Sequence, residues 1–127
     1  MRIMLDTHIF LWFISGDSQL SIDARDLIRD SDNEVYLSVV SVCESIIKYQ
    51  LGKLPLPGTP EIYLPKQRDA HQINSLSIDE DSIAQLINLP PLHRDPFDRM
   101  LICQALQHGL TIATVDSAVR GYDIDFI

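Results

Sequence analysis

Four short apolar runs recur along the chain with helical patterns between them. They are RIML (Arg2 to Leu5), EVYLS (Glu34 to Ser38), INSLSI (Ile73 to Ile78) and LTIAT (Leu110 to Thr114). Runs of this length bounded by turn signals read as buried strands. Tyr122 to Ile127 reads as a short fifth. Between them, HIFLWFIS is helical up to Gly16, and Ser21 to Arg29 is amphipathic with Ile22, Leu27 and Ile28 as anchors. Val39 to Leu51 forms a helix closed by Gly52, and Pro96 to His108 forms one closed by Gly109. Asp79 to Asn88 carries acids in its first turn, where the helix dipole favours them, and is ended by Pro90 and Pro91. Glu61 to His71 has helical character interrupted by Pro65, and GKLPLPGTP is a loop. Alternating strands and helices predict an α/β fold, with helices on both faces of a mostly parallel sheet.

A length of 127 residues suits one compact domain spanning 1–127, and a hydrophobic fraction of 46% suffices for a core. The longest apolar run, IFLWFI (Ile9 to Ile14), is far short of the roughly 18 residues of a membrane span and follows no signal-peptide pattern. The expectation is a soluble, cytoplasmic protein with no membrane partner. Cys43 and Cys103 stand far apart with no CxxC, so they suggest neither a disulfide scaffold nor a zinc site. The net charge of −8 argues against binding nucleic acid through charge alone. It allows a nucleic-acid substrate if metal ions neutralise a carboxylate cluster, and it suits a basic protein partner.

The acids are unusually placed. In HRDPFDRMLICQA (His93 to Ala105), Asp95 is positioned to cap the helix and Pro96 to occupy its first turn. At about 100° per residue, Asp98 shares a face with Leu101, Ile102 and Ala105, while Arg99, Cys103 and Gln107 point the other way. By the same count, Glu44 shares a face with Cys43, Ile47 and Leu51. Asp6 follows the first strand directly and Asp116 follows the fourth after Val115, at the sheet edge where ligands bind in open parallel folds. Each acid has a local explanation. Asp6 or Thr7 could cap the next helix, SVCE (Ser41 to Glu44) fits a capping box, DPFD fits an acidic version of one, and Asp116-Ser117 could cap a final turn. Capping does not require inward-facing acids, however, nor four of them around one cleft. Unneutralised, they would repel one another and raise their pKa values. Oxygen-only ligands favour Mg²⁺ or Mn²⁺, and the chemistry expected is metal-assisted hydrolysis of a nucleic-acid backbone.

At these residues the sequence resembles PIN-domain ribonucleases, specifically toxins of the VapC kind from prokaryotic toxin–antitoxin pairs. The matching pieces are MRIMLDTHIFLW, SVCESIIKYQLGKLPLP, RDPFDRMLICQALQHGLTIATVD and the terminal YDIDFI. The resemblance implies a three-layer α/β/α sandwich around a parallel sheet of about five strands, and Mg²⁺- or Mn²⁺-dependent RNA cleavage. Carried over, the catalytic and metal-binding acids are Asp6, Glu44, Asp98 and Asp116, with Thr114 as the hydroxyl of a T-x-D motif. Thr7 and Asp95 are auxiliary candidates. The resemblance further implies a cognate antitoxin whose C-terminal tail places a basic side chain among the acids, and a homodimer to which IFLWFI could contribute.

Lys48, Lys53, Arg94 and Arg99 flank the acidic motifs and could hold RNA phosphates. His8 and His93 lack metal-ligand spacing and read as structural or solvent-facing; Trp12 and Tyr49 read as packing residues. Two other readings compete. A receiver-like phosphoacceptor module would need an aspartate ending a central strand and a lysine ending a later one, which INSLSI and LTIAT do not supply. A non-catalytic PIN-fold binding protein would be expected to have lost acids, and all four are present. A D-x-D phosphatase motif is likewise missing, since Asp6-Thr7-His8 has no second acid.

Overall fold

In the computed structural model, which describes residues 1–127, the elements follow the alternating order. Strand β1 (Arg2–Leu5) leads to α1 (Thr7–Ser15) and α2 (Ile22–Arg29). Then come β2 (Glu34–Ser38), α3 (Val39–Gln50), α4 (Pro60–Ala70) and β3 (Asn74–Leu76). Helix α5 (Glu80–Ala84), a 3₁₀ turn (Gln85–Ile87), α6 (Pro96–His108), β4 (Thr111–Ala113) and α7 (Ser117–Arg120) complete the chain.

The sheet has four parallel strands in the order β3-β2-β1-β4. The chain lays β2 and β3 outward on one side of β1, then returns to place β4 on the other. The strand order therefore reverses between β1 and β4, and a crevice opens at their carboxyl ends. Each side chain of a central strand alternates between faces. Ile3 and Leu5 accordingly enter one core, with Phe10, Phe13, Ile28, Leu37 and Leu64, while Met4 enters the other, with Leu101, Ile102, Ile112 and Val119. Ile3, Met4 and Leu5 have no exposed surface. Each such buried side chain stabilises the fold by about 1.5–3 kcal/mol. Helices on both faces make the three layers expected. Helix α3 straddles the cores, giving Val40 to one and Val42 to the other.

Several expectations need correction. The fifth strand reduces to one parallel bridge, Ile112 with Phe126. Tyr122 turns inward into the core and Ile124 N–H bonds back to the Tyr122 carbonyl, so only the last residues lie flat enough to pair with β4. β3 is three residues rather than the whole of INSLSI. The helix from Asp79 splits into α5 and the 3₁₀ turn. Pro65 does not break α4, which runs through it. No helix is long and apolar enough to cross a membrane. The anticipated interface segment IFLWFI is largely committed to its own core: Ile9, Phe10 and Phe13 are buried, and Leu11, Trp12 and Ile14 pack against them.

Candidate active site

Asp6 is the N-cap of α1, and its extended backbone (φ −62°, ψ 152°) carries the chain from β1 into the helix. Its Oδ1 accepts from the Thr7 N–H at 2.8 Å, and its Oδ2 accepts from the Thr114 hydroxyl at 2.7 Å. The Thr114 bond crosses the β1–β4 crevice and spans 108 positions of sequence. Thr7 then turns its hydroxyl the other way, within 2.8 Å of both Glu44 Oε1 and Ser41 Oγ on α3. Thr7 thus bonds to both acids, through its N–H to Asp6 and its hydroxyl to Glu44.

Glu44 points inward, as the sequence suggested, but for a different reason. The N-cap of α3 is Ser38, not Ser41, so SVCE is no capping box. The buried stripe of α3 is Val40, Ser41, Glu44 and Ser45, whereas Cys43, Ile47 and Leu51 face solvent, with Ile47 39% and Leu51 62% exposed. Small hydroxyl residues one turn from Glu44 leave room for α1, and Thr7 supplies the hydrogen bond that an apolar stripe could not. The other carboxylate oxygen, Oε2, meets the Lys48 ammonium at 2.5 Å.

Asp98 is held by the start of α6. Asp95 caps this helix, accepting from the Phe97 and Asp98 N–H groups at 2.9 and 3.1 Å. With the cap supplied by Asp95, the Asp98 carboxylate is released inward, where its Oδ2 lies 3.3 Å from His93 Nε2. α6 is more deeply embedded than its periodicity implied. Cys103 and Gln104 are also buried, Cys103 in the core and Gln104 in hydrogen bonds with Ser38 and Ser77.

Asp6, Glu44 and Asp98 are only 5%, 3% and 9% exposed, respectively. Burial pushes the Asp98 carboxyl up to about 6, and the charges of Asp95, Asp6 and Glu44 push in the same direction, against the bond from His93. Asp6 is also raised by burial and by Glu44, although Thr114 and the Thr7 N–H oppose the shift. Burial disfavours the charge on Lys48, but the bond and charge of Glu44, with Asp95 and Asp98 behind it, outweigh that and hold the ammonium above its ordinary value. Mutual influence among Asp6, Glu44, Asp95, Asp98 and Lys48 marks one electrostatic unit.

The remaining sequence candidates fall outside that unit to different degrees. Asp116 caps α7, its Oδ1 accepting from Ala118 N–H at 2.8 Å; it joins the crevice through its own N–H, which donates to Thr114 Oγ1 at 3.0 Å. Arg99 has a different role from the phosphate contact expected. Its guanidinium donates to the carbonyls of Pro90 and Leu89 and to the Tyr122 hydroxyl. Arg94 is exposed, one residue before the α6 cap Asp95. Trp12 stacks on His8, and Tyr49 is exposed on α3. His93, read as structural or solvent-facing, instead contacts Asp98, and its place just before DPFD was the signal available. Nothing in the sequence pointed to Ser41, Tyr122 or Gln104.

The donor chemistry suits a hard dication: three buried carboxylates, no thiolate among them, with Glu44 pushing up the pKa of Asp6 and both of these pushing up that of Asp98. No three acidic, His or Cys side chains are drawn together tightly enough to form a ready-made cage. Mg²⁺ does not need one, since it keeps several waters and takes one or two carboxylates directly.

Comparison with known proteins agrees with this geometry. The model of the PIN domain family matches residues 3–124. The chain belongs to the PIN-domain family. This PIN domain is 25% identical over 121 residues to ribonuclease VapC22 of Mycobacterium tuberculosis, an alignment that covers 94% of this chain and 91% of the relative. Among solved structures, VapBC2 from Rickettsia felis bound to a promoter DNA fragment superposes with a TM-score of 0.76 at 14% identity, covering 100% of this chain and 98% of the other. VapBC-1 from nontypeable Haemophilus influenzae superposes with a TM-score of 0.68 at 18% identity, covering 100% and 97%. The PIN sandwich is thus shared, and the four-stranded sheet with its bridge is this member's version of it.

Proposed function

We propose that the protein is a Mg²⁺- or Mn²⁺-dependent endoribonuclease and the toxin of a type II toxin–antitoxin pair, acting in the cytoplasm. The observation that carries the reading is the convergence of the inward-facing Asp6, Glu44 and Asp98 from three separate segments, three buried acids with Lys48 as their close cation. The relationship to a VapC ribonuclease supports RNA as the substrate.

Asp6, Glu44 and Asp98 would hold the metal, with Asp116 as a fourth acid at the mouth of the crevice. A bound dication would supply the positive charge that the attacking and leaving oxygens of a cleaving phosphodiester require. The chain's own residues prepare the place. Thr114 and the Thr7 N–H grip both oxygens of Asp6, Thr7 and Lys48 grip those of Glu44, and Asp95 frees Asp98 from capping. Lys48 serves as the internal counter-charge and stands ready to turn toward a phosphate. Exposed Arg94 adds a second phosphate contact.

The cognate antitoxin is a protein whose basic side chain enters the same acidic crevice, in keeping with the net charge of −8. Homodimerisation would use the exposed apolar face of α3, Cys43, Ile47 and Leu51, rather than IFLWFI.

The test is cleavage of RNA by the purified protein with Mg²⁺, with chelator, and with Asp98→Asn. Activity that needs the metal and disappears in the variant supports the reading. Activity indifferent to chelator and variant overturns it.

A further inference from the structure

We infer that His93 is a positioning residue: its imidazole is locked as the Nε2–H tautomer by a one-way hydrogen-bond relay from Arg99 through Tyr122, and so orients the Asp98 carboxylate. The use made of Asp98 rests on the nuclease reading; the relay itself does not.

The direction of the relay follows from counting donors. A guanidinium has only N–H groups, so Arg99 can donate but never accept. Its Nη1 lies 2.9 Å from the Tyr122 hydroxyl oxygen and occupies one of the two lone pairs there. The His93 backbone N–H, 3.4 Å away, is directed at the same oxygen. Both acceptor sites of the hydroxyl are then engaged, and its single proton is left for the remaining neighbour, His93 Nδ1, at 2.8 Å. In a neutral imidazole one nitrogen accepts and the other carries the hydrogen. Nδ1 accepts, so Nε2 carries it, and Nε2 is the atom facing Asp98 Oδ2 at 3.3 Å. An ionised carboxylate offers only acceptors, which agrees with that assignment. Polarity is set at both ends, by a guanidinium that can only donate and a carboxylate that, when ionised, can only accept.

The relay is built into the packing. Tyr122 is buried in the core beneath α6 and meets the His93 ring edge-on at 5.4 Å between centroids. Arg99 is anchored by two backbone carbonyls, Pro90 and Leu89, of the segment that leads to His93. The arrangement holds Oδ2 of Asp98. Groups that orient ligating side chains in this way typically account for a 10- to 100-fold effect on metal affinity.

Two measurements on the full chain test this. Long-range ¹H–¹⁵N NMR of the metal-free protein at mildly alkaline pH reads the ring directly, and His93 is expected as Nε2–H. Tyr122→Phe, which keeps the ring volume, is expected to shift the His93 Nδ1 resonance, because that nitrogen loses its hydrogen-bond donor. It is also expected to weaken Mn²⁺ binding by isothermal titration about tenfold, with the far-ultraviolet spectrum unchanged. His93→Gln, which retains a donor, should recover part of the affinity lost in His93→Ala. A wild-type Nδ1–H ring, or a Tyr122→Phe variant with the same Nδ1 resonance as wild type, overturns the inference. Wild-type protein that binds no Mn²⁺ would overturn the metal reading alone, with the tautomer still deciding the relay.

Discussion

The carboxyl edge of the sheet has two halves of opposite character. At the β2–β3 end, the Ser38 hydroxyl donates to Gln104 Oε1 and Gln104 Nε2 donates to the Ser77 carbonyl at 3.2 Å. Every group there is neutral and Gln104 has no exposed surface. At the β1–β4 end, buried carboxylates face one another with Lys48 as the cation among them. Both networks are buried, and α6 contributes to both, through Gln104 and Asp98. The neutral one is complete within the protein and fixes where α6 lies against β2 and α3. The charged one is left short of positive charge, the condition under which a site recruits it from outside. A self-satisfied buried network supports structure, while an under-compensated one beside it supports chemistry.

Disabling the charged half gives the largest effect. Asp98→Asn should lower metal-dependent RNA cleavage by at least about 100-fold, since losing a ligating acid costs no less than losing a group that orients one. The same variant should not unfold more readily than wild type without metal, because it removes a repelled buried charge. Gln104→Ala should do the reverse. It leaves a cavity and unpaired partners on Ser38 and Ser77, a cost of about 2–5 kcal/mol in denaturant unfolding. A Gln104→Ala protein as stable as wild type would erase the distinction between the two halves.

Acidity sharpens the contrast further. The folded-state pKa of Asp98 is raised to about 6, so between its ordinary value and that point the folded protein binds more protons than the unfolded chain. The resulting stability is fully present below the ordinary carboxylate value and is lost as pH rises through about 6. Metal-free wild type should therefore lose stability relative to Asp98→Asn over that window, as read by thermal unfolding at a series of pH values. Mg²⁺ should restore it at neutral pH. The smallest effect belongs to Arg94: Arg94→Gln should raise KM for RNA about two- to fivefold, more at low salt, with kcat unchanged, as expected of a phosphate contact.

Much of this was legible along the chain because it rests on local chemistry. Asp95 followed by Pro96 specifies a helix start, and Gly109 at φ 65° closes that helix in a left-handed conformation that glycine adopts freely. Asp6 directly after β1 and Asp116 three residues past β4 announced a binding edge, since parallel strands direct their carboxyl ends to one side. Periodicity was a weaker guide to faces. It placed Glu44 on the apolar stripe of Cys43, Ile47 and Leu51, yet the helix buries Ser41, Glu44 and Ser45 instead. A 3.6-residue repeat identifies a face without saying what will cover it.

By itself, then, the sequence determined the alternation of strands and helices, the caps, and which acids stand at strand ends and helix starts. These depend on neighbours within a few residues. Tertiary structure alone decided that Thr114 would reach Asp6, that Thr7 would bridge to Glu44, that Arg99 would turn from solvent to Tyr122, and that the last residues would yield a bridge rather than a fifth strand. Each of those joins groups far apart in the chain. Hydrogen-bond donors and charges choose partners by distance in space, and that distance exists only once the layers have packed.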